Sequence, residues 1–297
     1  MIEQPPFFPA LVFVIGLLVG SFLNVVIFRL PIMMQRGWRK ECLEFLRQSP
    51  DPESGVVKGG IEAPLAVDEP FNLVFPLSRC PHCRAPIKPY QNIPVLSYLF
   101  LKGRCAHCQA AISPRYPMVE LFTAVTSAVV AWRFGYAAEA LFALLLTWSL
   151  ITLSFIDVDC QLLPDSITLP MLWLGLFLSL FGLFTDSHAS IIGSVAGYGT
   201  LWIVYHLFKL ATGKEGMGYG DFKLLALLGA WLGWQYLPLI ILLSSLVGAI
   251  LGVATVVLTK RDHSVPIPFG PYLAAAGWLA LLWGADLNQF YLESFGF

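Results

Sequence analysis

Charge is what this sequence has least of. Only 12% of its 297 residues are Asp, Glu, Lys or Arg, whereas a soluble domain carries about 25%. With 57% hydrophobic residues and a mean hydropathy of +0.71, that scarcity excludes a soluble enzyme. The net charge of −1 gives no reason to expect a nucleic-acid partner. Also missing are the Gly-Xaa-Ser-Xaa-Gly elbow of serine hydrolases, the i, i+4 His/Glu cluster of helix-borne metalloproteases and a Rossmann glycine fingerprint. What the chain does have is 22 Phe, 9 Trp and 21 Pro, which fit neither a coiled coil nor a disordered tail. Its apolar residues come in long blocks, which are read as membrane spans.

The first block, Phe7 to Leu30, follows the acidic Met1-Ile2-Glu3 and lacks the basic leader and small-residue cleavage site of a secretory signal. It is expected to be a retained span. Further spans are expected near 118–134, 138–157, 165–184, 189–210, 221–237, 238–258 and 270–291. The fold class is thus an all-α polytopic membrane protein of about eight transmembrane helices. The short gap Gln235-Tyr236-Leu237-Pro238 between the sixth and seventh leaves seven as the alternative count. With the N-terminus outside, 17 of the 18 Lys and Arg fall on the inner side and only Arg133 outside, the asymmetry of cytoplasmic loops. Gly16/Gly20, Gly193/Gly197, Gly229/Gly233 and Gly248/Gly252 are small-xxx-small pairs expected to serve helix packing.

The domain organisation follows: a first transmembrane helix at 8–30, a small cytoplasmic domain at 31–118, and a transmembrane domain at 119–291. The cytoplasmic stretch is too poor in aliphatic runs to build a core. It carries Cys80-Pro81-His82-Cys83 and Cys105-Ala106-His107-Cys108 with 21 residues between them, the spacing of a zinc ribbon. Four thiolates on one Zn²⁺ would supply the folding free energy that the core cannot. Two disulfides or free thiols are the alternative, and a reducing cytoplasm disfavours the disulfides. His82 or His107 replacing a ligand is a further option. Cys42 and Cys160 lack a partner pattern.

Acidic residues beside spans mark function by default, and Glu120, Asp157, Asp159, Asp165 and Asp221 all fall at cytoplasmic helix ends. Asp157 ends the third span and Asp221 opens the sixth after Gly218-Tyr219-Gly220, so the topology lets them meet although 64 positions separate them. Two carboxyls sharing a site do not both ionise easily, which permits one to activate water while the other protonates a carbonyl. Gly218 and Gly220 would let the backbone leave helical geometry and an extended peptide approach. Asp159 lies about 200° around the helix from Asp157, so at most one of the two is expected to face Asp221 if the helix continues. Asp165 after Pro164 is expected to cap the fourth span. Glu120 is either a helix-end cap or a site residue, and His206 and His263 stand alone on their segments.

Taken together, Gly20-Ser21-Phe22-Leu23-Asn24-Val25-Val26-Ile27-Phe28-Arg29-Leu30-Pro31, the two CxxC knuckles, Arg115-Tyr116-Pro117-Met118-Val119-Glu120, Asp157 with Leu163-Pro164-Asp165, Gly218-Tyr219-Gly220-Asp221 and Ile267-Pro268-Phe269-Gly270-Pro271 resemble the bacterial type IV prepilin peptidases. These are membrane aspartyl proteases of the Gly-Xaa-Gly-Asp type. The resemblance runs from about residue 10 to 290. It implies an enzyme of the bacterial inner membrane with a cytoplasm-facing site, which removes the leader of type IV prepilins and type II secretion pseudopilins and then methylates the new N-terminus. It places the catalytic pair on Asp157 and Asp221, choosing Asp157 over Asp159, and implies S-adenosylmethionine as methyl donor, associated with the region 31–118. Two other readings use the same residues: a proton-coupled transporter with a carboxylate relay, and a non-catalytic membrane scaffold. The transporter would call for an inverted repeat, and none is evident.

Overall fold

The computed structural model describes residues 7–48, 71–214, 216–259 and 268–295. Among the described residues the chain is helical, with no strand beyond the isolated bridges Arg79–Pro86 and Arg104–Ala111. The helices are α1 (Phe7–Gln48), α2 (Leu96–Phe100), α3 (Arg115–Phe134), α4 (Ala138–Cys160), α5 (Asp165–Ser179), α6 (Ser187–Thr212), α7 (Tyr219–Leu232), α8 (Leu237–Thr259) and α9 (Gly270–Phe295). Four stretches, Phe7–Phe45, Ala138–Cys160, Ser187–Thr212 and Trp234–Gly252, are long and apolar enough to cross a membrane.

A helix occurs at each expected span, but the boundaries differ for local reasons, and α5, expected to reach 184, ends at Ser179. α1 does not stop at Leu30; it passes through Pro31 and ends at Gln48. The added stretch is rich in Met, Gln, Arg, Lys, Glu and Leu, which favour helix, and Lys40 pairs with Glu44 one turn on at 3.9 Å. α7 starts at Tyr219 and ends at Leu232, because Gly233 takes φ +86° and turns the chain into the single 3₁₀ turn Trp234–Tyr236. Gly233 therefore closes a helix rather than lying on one.

α7 lies at the centre of the bundle. Phe222, Leu224, Leu225, Leu227, Leu228 and Trp231 are all essentially inaccessible, which fits a helix apolar on every side. α5 and α6 pack on one flank of α7 and α9 on another, α8 leans on α9, and α1 pairs with α3. Small residues set the closest crossings: a Cβ at Gly193 would stand 2.3 Å from the Gly229 carbonyl oxygen, and one at Gly20 would stand 2.7 Å from the Glu120 Cα. Gly248 instead meets the ring of Tyr272 at 3.2 Å. Polar side chains add interhelical bonds, including Ser190 Oγ to the Ala230 carbonyl (2.6 Å) and Trp231 Nε1 to the Met171 carbonyl (2.7 Å). Among the described residues no buried side-chain nitrogen or oxygen is left without a partner.

Candidate active site and metal centre

The last turn of α4 and the first turn of α7 bring Asp157 and Asp221 to the same end of the bundle. Both are buried, and they lie close enough that the charge of Asp157 acts on Asp221. The Asp157 carboxylate accepts the backbone N–H of Gly270, the first residue of α9, at 3.0 Å. The Asp221 carboxyl takes a hydrogen bond from the Gly218 backbone. Three helices thus meet at two carboxyls, on backbone donors rather than on long side chains.

Of the two glycines before Asp221, Gly218 lies outside helical geometry as expected, whereas Gly220 does not. Gly218 is extended at φ −84° and ψ 150°, a conformation open to any residue, and Gly220 lies within α7. A Cβ at Gly218 would meet nothing nearer than 4.0 Å, so open space adjoins Asp221 there. At Gly220 a Cβ would fall 2.9 Å from Leu163 Cβ and 3.1 Å from its Cδ1. At Gly270 it would fall 2.7 Å from Asp157 Oδ2 and 3.3 Å from Leu163 Cδ2. Leu163 is therefore wedged between the backbone carrying Asp221 and the backbone that holds Asp157. The role of this residue was not readable from residue type, and its only advance signal was its place beside Pro164-Asp165.

The other acids are committed elsewhere. Asp159 forms a two-pronged pair with Arg115 at 2.7 and 2.6 Å, the guanidinium lying over the ring of Phe155. Asp165 does not cap α5: Pro164 holds the cap position without a side-chain bond, and Asp165 accepts both of its hydrogen bonds from Lys223 Nζ at 2.7 Å. An ammonium two residues beyond Asp221 outcompetes the neutral N–H groups of the helix's own first turn. Glu120 neither caps its helix nor joins Asp157 and Asp221; buried, it accepts the N–H of Val95 at 2.8 Å. His206 Nδ1 bonds its own helix at the Trp202 carbonyl, 2.9 Å away, with its ring against Trp202. His263 lies outside the described residues.

The Gly20–Pro31 segment also gains a physical account. Gly20 allows α3 to approach, Asn24 donates to the Tyr116 carbonyl (3.1 Å), and buried Arg29 donates to the carbonyls of Asn72 (2.9 Å) and Pro76 (2.6 Å). Arg36 lies over the Phe71 ring. α1 thereby holds the start of the cysteine module.

That module contains two copies of one turn. Arg84 N–H returns to the Cys80 carbonyl (2.9 Å) and Gln109 N–H to the Cys105 carbonyl (3.0 Å), with Arg84 and Gln109 both at positive φ. Cys80 N–H bonds Ala85 and Cys105 N–H bonds Ala110 in the same way. All four cysteines are free thiols, their sulfurs lie within 4.8 Å of one another, and Cys80 Sγ stands 3.8 Å from Cys108 Sγ. A disulfide needs about 2.05 Å, whereas a tetrahedron of metal–sulfur bonds of about 2.3 Å has an edge of about 3.8 Å. Backbone N–H groups of Cys83 and His82 hold the Cys80 thiol down to about 6, and those of Cys108 and His107 lower that of Cys105. Four sulfurs so placed can hold a metal ion, and neither His82 nor His107 joins them.

Comparison with known proteins gives the family. Residues 14–134 match the bacterial peptidase A24 N-terminal domain, and residues 144–253 match the type IV leader peptidase family. Proteins from Stutzerimonas stutzeri and Pseudomonas aeruginosa, each named prepilin leader peptidase/N-methyltransferase, are 54% identical to the chain, over 98% and 99% of its length and 96% and 97% of theirs. A Legionella pneumophila protein of the same name is 43% identical over 98% of the chain and 97% of its own length. No solved structure matches. The chain belongs to the type IV leader peptidase family.

Proposed function

We propose that this chain is a membrane aspartyl endopeptidase that cuts the leader from type IV prepilins and type II secretion pseudopilins, and an N-methyltransferase that modifies the new N-terminus. The single observation that carries the peptidase reading is the meeting of Asp157 and Asp221, buried at one end of the bundle beside the open space at Gly218. One aspartate takes a proton from water as the water oxygen attacks the scissile carbonyl carbon. The other gives its proton to the carbonyl oxygen, and the C–N bond then breaks with protonation of the departing amine. The Gly270 N–H keeps Asp157 oriented, and Leu163 spaces the backbone beside Asp221 from the Gly270 backbone throughout.

The protein spans the bacterial inner membrane about eight times, with the aspartates, the module and 17 of 18 basic residues on the cytoplasmic side. A prepilin enters with its apolar helix in the bilayer and its basic leader in the cytoplasm, presenting the Gly-Phe bond at that surface. Cys80, Cys83, Cys105 and Cys108 hold a structural Zn²⁺, whose contribution is to cross-link the two turns. S-adenosylmethionine supplies the methyl group, and the region 31–118 is where its binding is to be sought; no glycine-rich nucleotide cradle marks the sequence.

The test is co-expression of a prepilin with wild type, Asp157→Asn, Asp221→Asn and Asp159→Asn at matched levels, read by intact mass. Cleavage is lost with Asp157→Asn and with Asp221→Asn and retained with Asp159→Asn. Unimpaired cleavage by either of the first two variants overturns the assignment.

A further inference from the structure

α2 carries its apolar residues outward. Leu96, Leu99 and Phe100 are 52%, 64% and 82% exposed, and Ile93, one turn earlier, is 45% exposed. The spacing of Leu96, Leu99 and Phe100 places them along one face of α2, and Ile93 lies just before the helix. Apolar side chains gathered this way outside a core mark a contact surface.

The height of this face is set by tethers. Val95, immediately before α2, gives its N–H to Glu120 in the second turn of α3. At the same level Asn24 of α1 bonds the Tyr116 carbonyl of α3, and the apolar run of that span begins near residue 118. α2 is thus fastened level with the edge of the bilayer, where no water-filled gap would reward an exposed phenylalanine. Just beyond it, Lys102 and Arg104 are exposed and form no ion pair among the described residues.

We infer that α2 lies in the cytoplasmic surface of the bilayer, with Leu96, Leu99 and Phe100 at the headgroup–acyl boundary and Lys102 and Arg104 on the phosphates of anionic lipids. The chemistry is that of an in-plane anchor: buried apolar area supplies the attachment, and long basic side chains reach the headgroups. Such an anchor holds the cysteine module flat on the membrane. It rests on the membrane reading of the helices and not on the catalytic assignment.

The experiment places a genetically encoded fluorescent amino acid at position 100 of the full-length protein. The protein is reconstituted in phosphatidylcholine vesicles with and without phosphatidylglycerol. Headgroup-proximal nitroxide lipid is expected to quench the probe, and aqueous iodide to quench it several-fold less than the free fluorophore. Phosphatidylglycerol should deepen the shielding, and Lys102→Glu with Arg104→Glu should abolish that dependence. Iodide quenching equal to that of the free fluorophore overturns the inference. So does shielding from iodide without quenching by nitroxide lipid, which means that protein covers the face. Shielding that ignores phosphatidylglycerol in the unmodified sequence removes the phosphate contacts and overturns the proposal in that form. Prepilin cleavage measured in the same vesicles reports separately on the peptidase, so failure of one reading is told apart from failure of the other.

Discussion

The helix α7 and the cysteine module are held by opposite means. α7 is surrounded by apolar side chains and by backbones in direct contact, and Phe222, Leu224, Leu225, Leu227 and Leu228 are fully buried. Among the module's residues 71–114 only Cys80 and Pro94 are buried. Its order comes from backbone turns around each knuckle, from Arg29 reaching the carbonyls of Asn72 and Pro76, and from Glu120 accepting Val95. Packing distributes stability over many residues, whereas four sulfurs concentrate it on one point. The bundle therefore fixes the aspartates independently of the module, and on the proposed reading the module depends on a metal held by its four cysteines and on its ties to α1 and α3.

Metal removal is the largest way to break that comparison. Structural zinc sites contribute apparent binding free energies of about 10–16 kcal/mol in small zinc peptides at neutral pH. Chelation is expected to make residues 71–114 protease-sensitive while the helical circular-dichroism signal of the bundle persists. Acid should act in the same direction, because protons compete with the metal for the thiolates. If protease resistance is unchanged after the metal is stripped, the module has another source of order and the contrast with α7 fails.

A second, intermediate effect lies within the bundle. Gly220→Ala drives a methyl into Leu163, and such overpacking costs about 1–3 kcal/mol. Because displacement of about 1 Å at reacting groups can cost about a hundred-fold in rate, cleavage should fall by that order while the module keeps its protease resistance. Adding Leu163→Ala removes the Cγ and Cδ1 contacts at 3.3 and 3.1 Å and should restore part of the rate. Leader removal in the single and double variants, timed on one prepilin, checks this. The Leu163 Cβ at 2.9 Å, which Leu163→Ala keeps, should hold that recovery short of wild type, and wild-type cleavage by Gly220→Ala alone would show that this contact does not matter.

The smallest effect belongs to the Asp165–Lys223 pair, whose side chains are 51% and 30% exposed. Pairs so placed contribute about 0–1 kcal/mol. Asp165→Asn should lower thermal stability by no more than that, in a salt-dependent way, and leave cleavage close to wild type. A large loss of cleavage would mean that the pair aligns α5 with α7 at the site.

Much of this arrangement was legible in residue order. Helical blocks follow from apolar runs, and the knuckle spacing announces four converging thiols. Asp157 and Asp221 stood out because acids at the ends of spans are rare, although choosing Asp157 over Asp159 needed the family resemblance. In the folded chain Asp159 is paired with Arg115, 44 positions earlier. Asp165 read as a cap because Pro-Asp-Ser looks like a helix start, and nothing local reveals that Lys223, 58 positions away, takes both of its oxygens. The continuation of α1 past Pro31 was hidden for a related reason. Proline disfavours but does not forbid a helix whose following residues are strong formers and whose Arg29 and Arg36 are engaged by residues 71–76.

By itself the sequence determined the chemical inventory: which segments are apolar, which four cysteines share a spacing, which carboxyls lie at the ends of apolar runs, and where the basic residues gather. These are properties of residue type and of short-range order. The tertiary structure decided which inventory members meet. It put Leu163 between Gly220 and Gly270, gave Asp157 the Gly270 N–H from 113 positions away, and assigned Asp159, Asp165 and Glu120 to partners other than Asp157 and Asp221. Contacts across that many residues are set by how helices cross and how closely their backbones approach, which no local pattern encodes.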